Sequence, residues 1–299
     1  MKIVFFGSSK YSTIVQMAIY DKFGLVLSVS APDKPKGRQR KLTPTPVKEF
    51  ALKIKIDVIA PAKLDKAAIE NIAKYKPDFL VVSDYGLILP PKLLKLPKYD
   101  ALNVHHSLLP KYRGPTPAPS AILAGEKKSG VTIISMSEDV DAGDILSQKK
   151  YTLSADETAD SLLTQLNRVG AQLIIKIIED CLSGAIKKNK QDDSKATYTH
   201  RLKKKDGEID PQNPPDSITL SRMIRAYYPW PGTWCRLTVH GRQFTVKFLP
   251  PTVLPSHKPT DPFLIQPEGK KPMSIKEFLN GYPQIKDLIG KLLSSTQPQ

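Results

Sequence analysis

Through residue 183, short and nearly continuous apolar runs alternate with stretches whose apolar residues return every three or four positions. The runs at 1–7, 23–30 and 56–60 read as strands, and that at 77–83 as a strand buried on both faces, where no polar alternation is needed. The stretches at 12–21, 47–53 and 65–74 read as helices, with Asp65 placed to cap the last. Further strand-like runs follow at 99–104, 130–136 and 145–152. The longest helical pattern is 156–183, where Leu162, Leu166, Val169, Leu173 and Ile177 form one stripe of core packing. Strands alternating with helices predict an α/β fold: a Rossmann-like, mainly parallel sheet with helices on both faces.

The pattern then changes. Residues 187–210 are polar, rich in Lys and Asp and without an apolar period, and read as an interdomain linker. A short helix at 217–228 is stopped by Pro229-Trp230-Pro231-Gly232. Strand-like runs at 234–239, 243–249 and 262–266 follow, the first two joined by a turn at Gly241, and the chain is helical from Ser274. Short strands in a small domain predict a C-terminal β-barrel of oligonucleotide-binding type. The expected division is a domain at 1–186, a linker at 187–210 and a barrel at 211–299.

Charge sharpens this picture. The 299 residues carry a formal net charge of +16, which points to a polyanionic partner, nucleic acid first. Six of the cations (Lys34, Lys36, Arg38, Arg40, Lys41 and Lys48) fall between 33 and 48 against the single Asp33. Pro35, Pro44 and Pro46 predict that this stretch is irregular and mobile, a form suited to gripping phosphates. Residues 201–299 add 15 Lys and Arg against 8 Asp and Glu. No apolar run is long enough to span a bilayer. Met1-Lys-Ile-Val runs straight into a strand with no leader, so a cytoplasmic protein without a membrane partner is expected. A monomer is expected as well. Cys181 and Cys235, two distant thiols, make neither a disulfide framework nor a zinc site.

The candidate chemistry lies where the 99–104 strand runs out, in Asn103-Val-His105-His-Ser107-Leu-Leu-Pro110-Lys-Tyr-Arg113-Gly114. Side chains alternate along a strand, so Asn103 and His105 share a face and His106 takes the other. An amide donor beside an acid/base suits acyl transfer to a nucleophile: the donor holds the oxyanion and the ring manages the proton. On its own the pair reads equally as two satisfied polar residues. A second segment, Ser137-Glu-Asp139-Val-Asp141-Ala-Gly143-Asp144, ends another strand and could supply a carboxylate to orient the imidazole. Its three carboxylates also fit a solvated turn; a metal site is not expected, because no His, Cys or closing Glu joins them. No G-x-G-x-x-G follows Gly7, so a dinucleotide is not expected either.

Together, Asn103-x-His105, Ser107-Leu-Leu-Pro110, Arg113-Gly114 and Asp141-x-Gly143-Asp144 resemble the folate-dependent formyltransferases, nearest the branch acting on methionyl-tRNA. The resemblance reaches almost the whole chain, through Tyr85-Gly-Leu-Ile-Leu-Pro90, Ala226-x-x-Pro229-Trp230-Pro231 and Gly269-Lys-Lys-Pro-Met-Ser274. It departs at Gly7-Ser8-Ser9, where the family has Gly-Thr-Pro, and at Pro119, where the family has Gln. It implies that 10-formyltetrahydrofolate, a co-substrate, gives its formyl group to the methionine amine of initiator methionyl-tRNA. Asn103, His105 and Asp141 would be catalytic. Gly86, Leu87, Ile88, Leu89, Ser107, Leu108, Leu109, Pro110 and Val140 would line the folate pocket. Lys36, Arg38, Arg40, Lys41, Lys203, Arg222 and Arg225 would bind the RNA. A formyltransferase for an amino-sugar nucleotide shares the same trio and is the nearest alternative.

Overall fold

The computed structural model describes residues 1–37, 39–239, 241–254 and 261–294. Two compact units emerge, one of residues 1–117, 128–152 and 163–199, the other of residues 118–127, 153–162 and 200–299.

The first unit opens with β1 (Ile3–Phe6), α1 (Ser12–Phe23) and β2 (Leu27–Val29). A small ribbon of β3 (Lys34–Lys36) and β4 (Lys41–Thr43) precedes α2 (Pro46–Lys53) and β5 (Val58–Ile59). Next come α3 (Lys66–Ala73), β6 (Phe79–Val82), α4 (Pro91–Leu94) and β7 (Asp100–His105). In chain order there follow α5 (Pro117–Leu123), nearly all of it in the second unit, then β8 (Lys128–Ser135), β9 (Ile145–Thr152) and the long α6 (Ala159–Ser183), whose first residues count with the second unit. The main sheet runs β5-β2-β1-β6-β7-β8-β9. It is parallel from β5 to β7 and antiparallel from β7 to β9. The mainly parallel sheet read from the sequence is therefore present.

All four residues of β1 and all four of β6 are buried. Successive side chains point to opposite faces, so both faces of the sheet's centre are covered. That is why these strands are unbroken apolar runs. The helix α3 starts where Asp65 accepts from the Ala68 N–H at 3.0 Å, a cap that satisfies one of its orphan donors. On α6 the stripe is shifted from the expected one. Leu162, Leu166 and Ile177 are buried, but Ile174 and Ile178 complete the buried row, while Val169 and Leu173 lie half-exposed at its margin. Gly170 sits within the buried row because a Cβ there would come 2.6 Å from Cγ1 of Val104 on β7.

Two expectations are corrected. The basic stretch at 33–48 is not irregular: Lys34 pairs with Thr43, Pro35 with Leu42 and Lys36 with Lys41. A two-stranded ribbon has only edges, so the missing N–H of Pro35 breaks nothing, and Pro46 starts α2 where no donor is needed. Lys48 closes the base of the ribbon on Asp33 at 2.8 Å, so this cation is committed within the fold. The first half of the segment read as a linker is likewise tied down. Asn189 bridges Ile145, and Tyr198 bridges Arg113. Hydrogen bonds rather than apolar packing hold residues 187–199, so an apolar period could not reveal it.

The second unit contains α7 (Ser217–Ala226), β10 (Thr233–Val239), β11 (Arg242–Leu249), β12 (Leu264–Pro267), α8 (Ile275–Gly281) and α9 (Lys286–Ser294). Its three strands form an antiparallel sheet, β10-β11-β12. Bridges from Glu208 to Trp234 and from Ile265 to Met273 extend it at both edges. Leu220, Ile224, Val246, Phe248, Ile265 and Phe278 are central to its apolar core. Among the described residues no helix is long and apolar enough to cross a membrane.

Candidate active site

The site lies at the carboxyl end of β7, which is also the carboxyl end of its parallel neighbour β6, with Val82 beside Asn103. Strand ends of this kind are the ligand edge of an open α/β sheet. Period-two geometry puts Asn103 and His105 on one face, and both reach the same carboxylate. Asn103 Nδ2 donates to Oδ1 of Asp141 at 3.1 Å. His105 Nδ1 lies 3.5 Å from Oδ2. The backbone N–H of Gly114 donates to that same Oδ2 at 2.8 Å. Asp141 has φ 54°, a left-handed conformation that Asp tolerates better than most residues. Two residues on, a Cβ at Gly143 would collide with the Ser135 carbonyl, so the turn carrying Asp141 closes tightly against β8.

The His105 ring is fixed from its far side. Its Nε2 is 2.9 Å from the Tyr112 carbonyl oxygen, an atom that can only accept. Nε2 therefore carries a proton, and the basic nitrogen of the neutral ring is Nδ1, on the Asp141 side. The Tyr112 carbonyl thus joins Asp141 in orienting the ring: Tyr112 sets the tautomer, and Asp141 faces the other nitrogen. The ring is only 5% exposed, so it has little water around it.

His106 turns away. Its Nδ1 lies 3.4 Å from Oδ1 of Asp84, and it is buried. Burial pushes its pKa down, against the opposing pull of Asp84. Asp84 in turn accepts from the Ser9 hydroxyl at 2.8 Å.

The other expected residues divide into two groups. Leu87, Ile88 and Val140 are large apolar side chains left on the surface, Ile88 at 73% exposure. Gly86 is exposed beside them, whereas Leu89 is buried in the core. Apolar surface of this kind is what a flat, partly apolar ring would cover. The side chains of Ser107 and Leu109, in contrast, face inward. The Ser107 hydroxyl donates to the Lys111 carbonyl at 2.6 Å. Leu109 is buried, its N–H bound by Thr132 and its carbonyl by Gln148. Leu108 lies over Gly130, and Pro110 stays partly exposed. Of this loop's side chains, only Leu108 and Pro110 keep partial exposure to meet a ligand, and its carbonyls are already hydrogen-bonded within the protein.

Of the cations expected to meet RNA, Lys36, Arg40 and Lys41 are exposed on the β3–β4 ribbon, and Lys203 is exposed in the second unit. Arg38 lies outside the described residues. Arg222 rests against Gly125. Arg225 is half-buried and donates to the Glu157 carbonyl at 3.1 Å; burial and then the neighbouring Arg222 lower its pKa. Among the described residues no three His, Cys, Asp or Glu side chains are grouped to hold a metal ion.

Several contributors escaped the sequence reading: the Tyr112 carbonyl, the Gly114 N–H, Thr132, Gln148 and Gln191. The first two are backbone groups that every residue carries, and Gln191 stands in the polar stretch after α6.

Comparison with known proteins agrees with this geometry. Residues 1–178 match the formyl transferase family. Methionyl-tRNA formyltransferase of Geobacillus sp. (strain WCH70) is 37% identical over 306 aligned positions, covering 94% of each chain. That of Dictyoglomus thermophilum is also 37% identical, covering 94% of this chain and 97% of its own. Among solved structures, an N-formyltransferase from Helicobacter canadensis, complexed with folinic acid and dTDP-3-aminofucose, shares the fold. It has a TM-score of 0.60 and 18% identity, and the match covers 83% of this chain and 88% of that one. With the trio at a strand end and relatives matched along nearly its full length, the chain belongs to the methionyl-tRNA formyltransferase family.

Proposed function

We propose that the chain transfers the formyl group of 10-formyltetrahydrofolate to the α-amino group of methionine on initiator methionyl-tRNA, giving formylmethionyl-tRNA for translation initiation. The observation that carries the chemistry is one carboxylate, Asp141, shared by the Asn103 amide and the His105 ring. The relatives at 37% identity support the acceptor.

The folate supplies an activated formyl group and a leaving nitrogen. Gly86, Leu87, Ile88, Val140, Leu108 and Pro110 would hold it. Asn103 has two amide N–H groups. Asp141 holds one, which turns the other toward the oxygen that gains charge as the amine attacks. Losing such a donor costs about 3 kcal/mol, a hundredfold or more in rate. His105 takes the amine's proton at Nδ1 and returns it to the departing nitrogen. Asp141, opposite Nδ1, stabilises the ring while it is charged. No covalent enzyme intermediate is needed, since an amine is already a competent nucleophile. Residues 1–186 carry this chemistry. The β3–β4 ribbon and residues 211–299, with Lys203, carry the RNA. The working form is a cytoplasmic monomer, to be checked by its mass in solution.

The deciding experiment offers 10-formyltetrahydrofolate with Met-charged initiator transfer RNA and, in parallel, a 4-amino-sugar nucleotide. Formylation of the RNA alone is expected. Formylation of the sugar alone would keep the trio and overturn the acceptor. The ribbon has its own check. Lys36→Ala, Arg40→Ala and Lys41→Ala should each weaken RNA binding. Each should also reduce the slope of log K against log salt by about 0.7–0.9. Unchanged slopes would remove the ribbon from the interface.

A further inference from the structure

Residues 187–199 run past the site rather than away from it. At one end Asn189 and Ile145 exchange backbone hydrogen bonds of 2.8 and 2.9 Å. At the other, the Arg113 N–H donates to the Thr197 carbonyl at 2.8 Å, and the Thr199 N–H donates to the Arg113 carbonyl at 2.7 Å. Between these anchors stands Gln191. Its Nε2 donates to the carbonyl of Asp141 at 2.8 Å and to that of Gly143 at 2.7 Å. Its Oε1 accepts from Arg113 Nε at 3.1 Å and Nη2 at 2.8 Å. Carbonyls only accept and a guanidinium only donates, so the orientation of the amide is determined by its partners. Both donors and both lone pairs are used.

Arg113 is itself held. It is 3% exposed, with Nη2 2.6 Å from Asp193 Oδ1 and Nη1 3.4 Å from the Tyr198 hydroxyl. The Arg113–Gly114 loop and the Asp141–Gly143 turn are thereby joined through one side chain. The same two loops meet again where the Gly114 N–H binds the Asp141 carboxylate.

We propose that Gln191, seated on Arg113, is a positioning residue for Asp141: it fixes the turn's left-handed backbone and so the direction in which the two carboxylate oxygens meet Asn103 and His105. The inference rests on the reading of that trio as the reaction centre. Few side chains meet the requirement. Asn is a methylene too short, Lys cannot accept from Arg113, and Glu would set an oxygen against two carbonyls.

Glu is therefore the informative replacement. Gln191→Glu keeps the shape and pairs with Arg113, so it preserves the anchor while reversing the two donors. We expect kcat to fall by about tenfold or more, with KM for both substrates within about twofold. In the unliganded protein, the NMR signals of the Asn103 side-chain amide and the His105 ring should shift. In an Asp141→Asn background, Gln191→Glu should add little further loss, because both act on one group. If Gln191→Glu does not fold, Gln191→Met, isosteric and donor-free, is measured in the same way. Unchanged kcat with unshifted signals, or losses that multiply in the double variant, would overturn the proposal. A wild-type protein that formylates neither acceptor would strike the proposed reaction instead, and the signals of the unliganded variants would still decide the positioning role.

Discussion

Two neighbouring histidines leave the end of β7 in opposite directions, and each meets an aspartate at nearly the same distance, 3.5 Å for His105 and 3.4 Å for His106. What differs is what each aspartate does besides. Asp141 also holds the Asn103 amide and the Gly114 N–H, and its own backbone is clamped by Gln191. Asp84 takes the Ser9 hydroxyl, and its carbonyl takes the Ser8 N–H, which ties the β1–α1 loop to the end of β6. One pair gathers a side-chain amide and an imidazole around one carboxylate. The other gathers loop ends around a buried ring. A His–Asp distance alone does not separate the two pairs; the groups converging on each carboxylate do.

The largest expected effects break the first pair. His105→Ala should lower kcat by about 10²–10⁴, the range for a lost general acid/base. Asn103→Ala should cost about a hundredfold. His106→Ala should retain most of the activity in the same formyl-transfer assay. Equal losses from the two histidine variants would show that the second pair belongs to the chemistry after all.

The contrast also explains what could be read from the sequence. Strands β1 and β6 were legible because burial on both faces leaves an apolar run. The common face of Asn103 and His105 followed from the two-residue period of a strand. The pattern of its turn together with the family resemblance places Asp141, since its partnership with residues 36 and 38 positions away has no local signature. The clamp at Gln191 was not legible: it is one amide in a polar stretch, held by hydrogen bonds that no periodicity records. The ribbon at 34–43 was missed because prolines argue against strands in a sheet interior but not in a pair of edges. The motif places Ser107 and Leu109 at the ligand, and the structure turns their side chains into the protein. The direction of a side chain in a loop follows from what the loop packs on, here Lys111, Thr132 and Gln148.

The smallest effect concerns the second pair, and it appears in stability rather than rate. Burial lowers the pKa of His106 from its ordinary 6.5, more than Asp84 raises it. Between the lowered value and 6.5, the unfolded chain binds more protons at this position than the folded one. Stability therefore falls as pH drops below about 6.5 and levels off once the folded ring is protonated too. His106→Gln removes the titration but keeps a polar side chain opposite Asp84. Denaturant unfolding at pH 7.5 and 5.5 should show the wild type losing more stability over that interval than the variant. A larger acid loss in the variant would mean that Asp84, not burial, governs the ring. His106 would then be a charged partner held in the fold, and its kinship with His105 would be closer than its surroundings indicate.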